Sequence, residues 1–158
     1  MNRLISDPAF CTPGAAADSD WFSFENYTVA LRALPFFRYS EAVDAEAVEL
    51  LARRVMAEGM WSTALPVEEN TGYIMDGNHR LAVAHRLGLR QLPCIPLSYE
   101  DRRISVCHWS TGRPFAASEM ERLAEQGVLL PYKTTRHRFA PTLPRLELPL
   151  ELLRQPVP

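Results

Sequence analysis

Two short clusters in this chain combine residue types that handle phosphate. The first, Asp76-Gly77-Asn78-His79-Arg80, follows the apolar run Gly72-Tyr73-Ile74-Met75 and opens a helical pattern. A chain that turns through glycine into a helix leaves unpaired backbone N–H groups at the helix start, where the positive end of the dipole also lies. Such a terminus can bind phosphate. Gly77 permits close backbone approach, and His79 and Arg80 add donors. The same pentapeptide is also compatible with an ordinary Asp-Gly turn carrying a solvated His and Arg. The second cluster, Tyr132-Lys133-Thr134-Thr135-Arg136-His137-Arg138, sets a lysine, two hydroxyls, two arginines and a histidine in consecutive positions, enough to surround a polyphosphate from its outer side. A solvated basic turn, or a short nucleic-acid patch, would use the same residue types.

The elements that must hold these clusters read as one compact α/β unit without internal repeats. Tyr27 to Ala33 alternates as a strand. Asp44 is placed as an N-cap, with Val48, Leu51, Ala52 and Val55 at helical spacing and Gly59 as the stop. Leu65 to Glu68 is expected as a short strand and Gly72 to Met75 as a second, after which the Asp76–Arg80 cluster opens a helix that Gly88 ends. Leu92 to Leu97 reads as a strand at a sheet edge, because Pro93 and Pro96 interrupt it. Ile104 to Trp109 is a further strand. Ser118 with Glu121 forms a capping box for a helix through Met120, Leu123 and Ala124, closed by Gly127. Residues 1–20, with Pro8, Pro13, Gly14 and an alanine run, are expected to be irregular. The domain is bounded at 21–139, followed by a proline-rich tail, 140–158, packed on it, in which five prolines exclude a long helix.

Composition narrows the classes of function. The chain has 158 residues, 17 basic against 19 acidic side chains and a net charge of -2. That length suits one domain with its own core. At 47% hydrophobic and 23% charged it is neither disordered nor a coiled coil, and no apolar run approaches a membrane span. A pI near 6.1 argues against a protein that coats nucleic acid, while leaving room for a local basic pocket. Charge is uneven: residues 131–158 carry five bases against two acids. Lys133 is the only lysine; the other basic residues are arginine, a bias of composition. Cys11, Cys94 and Cys107 show neither a disulfide framework nor zinc-site spacing. With no leader-like N-terminal pattern, a reduced cytoplasmic location is expected.

Taken in order, Tyr39-Ser40-Glu41, Gly59-Met60-Trp61-Ser62, Asp76-Gly77-Asn78-His79-Arg80, the strand ending Cys107-His108-Trp109, and Leu130-Pro131-Tyr132-Lys133-Thr134-Thr135-Arg136-His137 resemble the free serine kinases, including those of siderophore biosynthesis. Their fold is the ParB/sulfiredoxin-like one, a small mixed sheet flanked by helices. The similarity spans about residues 30–139, and it is the D-G-x-H-R loop joined to K-T-x-R-H that makes it specific. It implies phosphorylation of free L-serine to O-phospho-L-serine, with ATP or ADP as donor and Mg2+ as cofactor. By the same resemblance Glu41 is the general base, Asp76 and His79 surround the substrate hydroxyl, and Trp109 lines the amino-acid pocket. Ser62, Gly77, Asn78, Arg80, Lys133, Thr134, Thr135, Arg136 and His137 take the nucleotide side. Direct metal ligands are not assigned. The expected partners are a nucleotide and a small amino acid, with no membrane and no nucleic acid.

The physics agrees. A serine hydroxyl is a poor nucleophile and needs a carboxylate within hydrogen-bond reach; phosphoryl transfer otherwise needs alignment and charge neutralisation. Glu41 also lies just ahead of a helix N-terminus, where an acid is favourable for dipole reasons alone. Asn78 departs from the His or Thr of other members, and a cysteine there would have indicated sulfiredoxin chemistry. Two other readings use the same residues: a ParB-like nucleotide switch, which needs a helix-turn-helix module that the proline-rich residues after Phe139 do not resemble, and a nucleotide-binding scaffold without turnover, which Glu41 and Asp76 disfavour. A kinase for another small hydroxylated acceptor is a further variant. Trp21, Phe22 and Phe24 are expected in the core or as a lid over it. Phe36 and Phe37 are read as packing residues, His85 and His108 as structural, and Cys94 and Cys107 as small hydrophobes.

Overall fold

A computed structural model describes residues 21–24 and 26–157. In chain order the elements are β1 (Trp21–Phe24), β2 (Tyr27–Ala33), a 3-10 turn (Leu34–Phe36), α1 (Ala45–Glu58), β3 (Met60–Thr63), β4 (Leu65–Glu68), α2 (Asn78–Arg86), β5 (Gln91–Leu97), β6 (Ile104–His108), α3 (Ala117–Gln126), β7 (Thr135–Phe139), β8 (Arg145–Pro149) and α4 (Leu150–Leu153). A four-stranded sheet has the order β1-β2-β5-β4, and two separate antiparallel pairs, β3-β8 and β6-β7, join strands distant in sequence. Among the described strand pairs, only β4 with β5 is parallel. The architecture is the expected mixed α/β one. The irregular segment expected at 1–20 and the side chains of Trp21, Phe22 and Phe24 lie outside the described residues.

The first helix forms as its sequence dictates. Asp44 accepts a hydrogen bond from the Ala47 N–H at 3.1 Å, and Gly59 closes the helix in the left-handed conformation. Ala52 and Val55 are buried, with Val48 and Leu51 packed against them. The third helix corrects the expected capping box. Ala116 is its N-cap, its carbonyl already accepting from Glu119 and Met120 N–H, so Ser118 falls inside the first turn and caps nothing. Met120 and Ala124 are buried as expected.

Strand β5 is a second correction, because it lies inside the sheet between β2 and β4. Its pairing is split: residues 91–94 pair with β2 and residues 94–97 with β4. The Arg90 carbonyl accepts from Leu34 and the Leu97 carbonyl from Glu69, which fixes the alternation. Pro93 therefore turns its ring nitrogen toward the β4 side and Pro96 toward the β2 side, each beyond the reach of that partner's ladder. Neither proline removes a sheet hydrogen bond, so the rule that exiles proline to edges does not apply.

A third difference concerns residues 72–75, which form no strand. The Gly72 N–H donates to the Glu68 carbonyl, and single bridges join Tyr73 to Arg38 and Ile74 to Val67. Gly72 (φ 73°) is required there, since a Cβ would sit 1.9 Å from the Phe36 carbonyl oxygen.

Strand β8, unread in the sequence because prolines bracket it, pairs with β3. Leu146, Leu148 and Leu153 are at most 1% exposed, among Trp61, Leu65 and Leu81 in the same core. The Gln91 amide donates to the Leu152 carbonyl at 2.9 Å, tying α4 to β5. Truncating Leu148 to alanine is expected to cost about 2–5 kcal/mol, read as a lowered urea midpoint. Leu129→Ala, at a 59% exposed position, should stay within about 0.5 kcal/mol of the parent.

Candidate active site

A cavity of about 520 Å³ opens where the loop entering α2, the Glu41–Ala42 segment and the residues leading into β7 meet. Of the residues singled out from sequence, Glu41, Asp76, Gly77, Asn78, His79, Arg80, Trp109, Lys133, Thr135, Arg136 and His137 all line it. Ser62 does not. It lies in β3 where the register against β8 shifts, and its neighbour Thr63 takes the wall instead. Thr134 contributes its backbone, its hydroxyl being turned to the Pro131 carbonyl.

Glu41 Oε1 accepts three hydrogen bonds: from Thr134 N at 2.8 Å, Thr135 N at 2.7 Å and Thr135 Oγ1 at 3.2 Å. Consecutive N–H groups converging on one anion form an anion nest. The turn that aims them passes through Lys133 at φ 56°, the only non-glycine residue with positive φ among those described. Glu41 lines the cavity, and its Oε2 has no hydrogen-bond partner among the described residues, which leaves that oxygen for a ligand. The backbone on either side of Glu41 is held as well. Leu130 N donates to the Ser40 carbonyl at 2.8 Å and Ala42 N to the Leu130 carbonyl at 2.9 Å.

Gly77 is the N-cap of α2 at φ 110°, and a Cβ there would lie 2.6 Å from Leu65 Cδ2. Only glycine lets the loop close against the sheet in this way. Asp76 opens to solvent at the cavity wall. Desolvation by that wall raises its pKa above the usual carboxylate range, opposed by the Gly77 N–H and by Arg80. Arg80, over the Trp61 ring at 5.8 Å, has its charge disfavoured, first by desolvation and then by Arg54 and Arg145; Glu58 and Asp76 offset this in part. His79 Nε2 accepts from the Asp44 N–H at 3.1 Å, so the ring proton belongs on Nδ1 in this arrangement. Its ring meets Tyr132 edge-on at 5.5 Å.

The basic segment is less uniform than its sequence. Trp109, 45% exposed at the rim, carries Lys133 Nζ at 5.4 Å and Arg136 Cζ at 5.0 Å from its ring centre. His137 is the exception. Its Nε2 meets the Tyr99 hydroxyl at 3.2 Å, its Nδ1 is buried without a partner, and burial lowers its pKa to about 3. It is therefore a neutral imidazole that adds no cation to the cluster.

Thr63, Met75, Tyr132 and Leu143 also line the cavity. Tyr132 stood beside the basic run, whereas Thr63 was hidden by one residue of strand phase and Leu143 by the tail's lack of periodicity. Elsewhere, Phe36 packs edge-on to Phe37, His108 stacks on Phe115 at 3.8 Å, and His85 is exposed against Tyr39. Cys94 is buried and Cys107 half-buried. Among the described residues, no group of three or more His, Cys, Asp or Glu side chains is placed to hold a metal, and no helix is long and apolar enough to cross a membrane.

No protein-family model and no curated protein matches the chain. Solved structures do. A conserved hypothetical protein from Pyrococcus furiosus superposes with a TM-score of 0.70 at 14% identity, over 79% of this chain and 97% of that one. A free serine kinase in complex with AMP gives 0.69 at 14% identity, over 79% of this chain and 93% of that one; a glutamate-to-alanine variant of a free serine kinase is likewise matched in complex with ADP. SbnI from Staphylococcus aureus, with a C-terminal truncation, gives 0.65 at 15% identity, over 82% and 90%. The fold is thus that of the free serine kinases, consistent with the ParB/sulfiredoxin-like type.

His137 supplies a pH test of this geometry. Its folded pKa lies below the 6.5 of an unfolded histidine, so the unfolded chain takes up the proton first. Its contribution to stability is complete above about pH 6.5 and is lost as the pH falls toward 3. Between those limits, the pH dependence of unfolding free energy should be flatter in His137→Leu than in the parent, by up to about 1.4 kcal/mol per pH unit. Parallel denaturation curves for the two proteins would contradict a buried neutral imidazole.

Proposed function

We propose that this chain is a kinase that transfers a phosphoryl group from ATP or ADP to the hydroxyl of free L-serine, giving O-phospho-L-serine. The observation that carries the reading is a single cavity joining a carboxylate with one reachable oxygen, Glu41, to a glycine-turned helix start and a cationic rim. The AMP and ADP complexes of structures sharing the fold support a nucleotide on these elements.

In this reading Glu41 Oε2 takes the proton of the serine hydroxyl as its oxygen bonds to the terminal phosphorus. The bond from that phosphorus to the bridging oxygen breaks, and the nucleotide leaves one phosphate shorter. Oε1 stays in the nest, so the carboxylate is presented in one orientation. Asp76 and His79 flank the acceptor hydroxyl, and Trp109 offers an aromatic face to the amino acid. The α2 N–H groups with Gly77 and Arg80 receive phosphate oxygens. Arg80 gains from them, because its surroundings disfavour its charge and an incoming anion relieves that. Lys133 and Arg136 close the rim, and Thr134, Thr135 and neutral His137 complete the wall.

Mg2+ commonly takes one or two protein carboxylates plus phosphate oxygens. The donor set fits this: Asp76 and Glu41 line the same cavity, and Asp76 is the residue to hold the ion beside a bound nucleotide. When bound, the ion neutralises charge on the transferring phosphoryl group.

Incubation with ATP or ADP, magnesium and a panel of free amino acids, followed by mass detection, should yield O-phosphoserine. Phosphorylation of a different hydroxyl compound would move the acceptor. No phosphorylated product at all would refute the kinase reading. Glu41→Gln is expected to lower turnover by about 10²–10⁴-fold with nucleotide still bound. Lys133→Ala should weaken nucleotide binding by about 10–100-fold, as measured by titration calorimetry; an unchanged affinity would remove the rim from the nucleotide site.

A further inference from the structure

Asn78 occupies the variable place in the Asp76–Arg80 loop, where its sequence position implies a contact with nucleotide. Its side chain is turned elsewhere. Only 8% exposed, it accepts at Oδ1 from Ser40 N at 2.8 Å and Glu41 N at 3.3 Å. Its Nδ2 donates to Ser40 Oγ at 3.0 Å, and that hydroxyl lies 3.4 Å from Oδ1. Two backbone N–H groups facing one amide atom require that atom to be oxygen, so the network itself fixes the orientation of the amide. The polar atoms of Asn78 are thus spent on the two residues that carry the Glu41 carboxylate.

From these contacts we infer that Asn78 is a positioning residue for Glu41: it sets the distance between the carboxylate and the Asp76–Arg80 loop, and does not bind nucleotide. This rests on the kinase reading for its effect on turnover, though not for the anchoring itself. Leu130, Thr134 and Thr135 restrain the same segment from the other wall, and on the loop side the Tyr73 hydroxyl lies 3.5 Å from the Ser40 carbonyl while His79 Nε2 accepts from the Asp44 N–H. Asn78 is the side chain of α2 that ties Glu41 to the loop expected to carry the phosphates. Without it Glu41 loses its own hydrogen bond to the loop and can shift toward the β7 side. A displacement of about 1 Å between reacting groups is enough to cost a hundredfold in rate.

The test uses Asn78→Ala and Asn78→Asp in the full chain. The alanine variant should lower kcat by about tenfold to a hundredfold while the ADP dissociation constant, measured by calorimetry, changes less than about threefold. Amide hydrogen exchange at Ser40 and Glu41 should speed up, since both N–H groups lose their acceptor. The aspartate variant keeps an acceptor for both N–H groups and should recover protection. ADP binding reports whether each variant is folded. Weakened ADP binding with kcat retained at saturation would overturn the inference in favour of a nucleotide contact. Unchanged exchange at Ser40 and Glu41 in Asn78→Ala would overturn the anchoring and leave the kinase reading standing. A parent protein that binds ADP but phosphorylates no acceptor would overturn the kinase reading and the role in turnover, with exchange still deciding the anchoring.

Discussion

One carboxylate oxygen joins the two halves of this cavity. Glu41 Oε1 reaches across 93 and 94 residues of sequence to the N–H groups of Thr134 and Thr135. The turn that presents those groups needs Lys133 in the left-handed region, which costs about 1–2 kcal/mol for a residue with a Cβ. A hydrogen bond to a charged group contributes about 1.5–3 kcal/mol, and Oε1 accepts three. The carboxylate therefore outweighs the strain of the turn that receives it. Each side defines the other: Glu41 is oriented because the nest exists, and the nest persists because Glu41 fills it.

Around this clasp, charge is distributed more selectively than a run of basic residues suggests. Arg80 is desolvated and faces Arg54 and Arg145, whereas Lys133 and Arg136 rest on the face of Trp109. His137 is held neutral by burial. The cavity thus has a half-buried arginine, a cationic rim lying on an aromatic surface, and two carboxylates in its lining. Cations on an aromatic face are held by about 0.5–2 kcal/mol, weak enough to yield to a phosphate and strong enough to keep the side chains from wandering. Such an arrangement is compatible with a net charge of -2, because a local cationic pocket does not need a basic surface.

Local signals in the sequence carried a good part of this. Asp44 and Gly59 bracket α1 because caps act over a single turn, and Gly77 marked the sharp entry to α2. Many of the cavity-lining residues fell in two short clusters legible from residue type, whereas Glu41 and Trp109 were placed by the family resemblance and Thr63, Pro66 and Leu143 by neither. Their roles were less so. Asn78 lies in a phosphate-type loop yet turns its amide to Ser40 and Glu41, and nothing local reveals that choice because both partners come from another segment. His137 reads as a cation until its burial against Tyr99 is known. Strand β8 was missed because two prolines frame it and its leucines alternate over only five residues, too short a stretch to stand out from a tail. Ser62 was displaced from the wall by an irregularity in β3 pairing that no residue type announces.

The two prolines of β5 have a consequence beyond their tolerance in the sheet interior. Sliding β2 two residues along β5 would bring Pro96 into its ladder, and sliding β4 the opposite way would bring Pro93 into its own; either slip would set a ring against a carbonyl that expects an N–H. They act as register stops, one facing each neighbour, against the two-residue slips that leave every side chain on its own face of the sheet. Strand β4 leads through the Val67–Ile74 bridge directly into Met75 and the loop before α2. A stop on β4 is therefore also a stop on where Asp76 and Gly77 emerge. The prolines serve as alignment pins for a loop that they never touch.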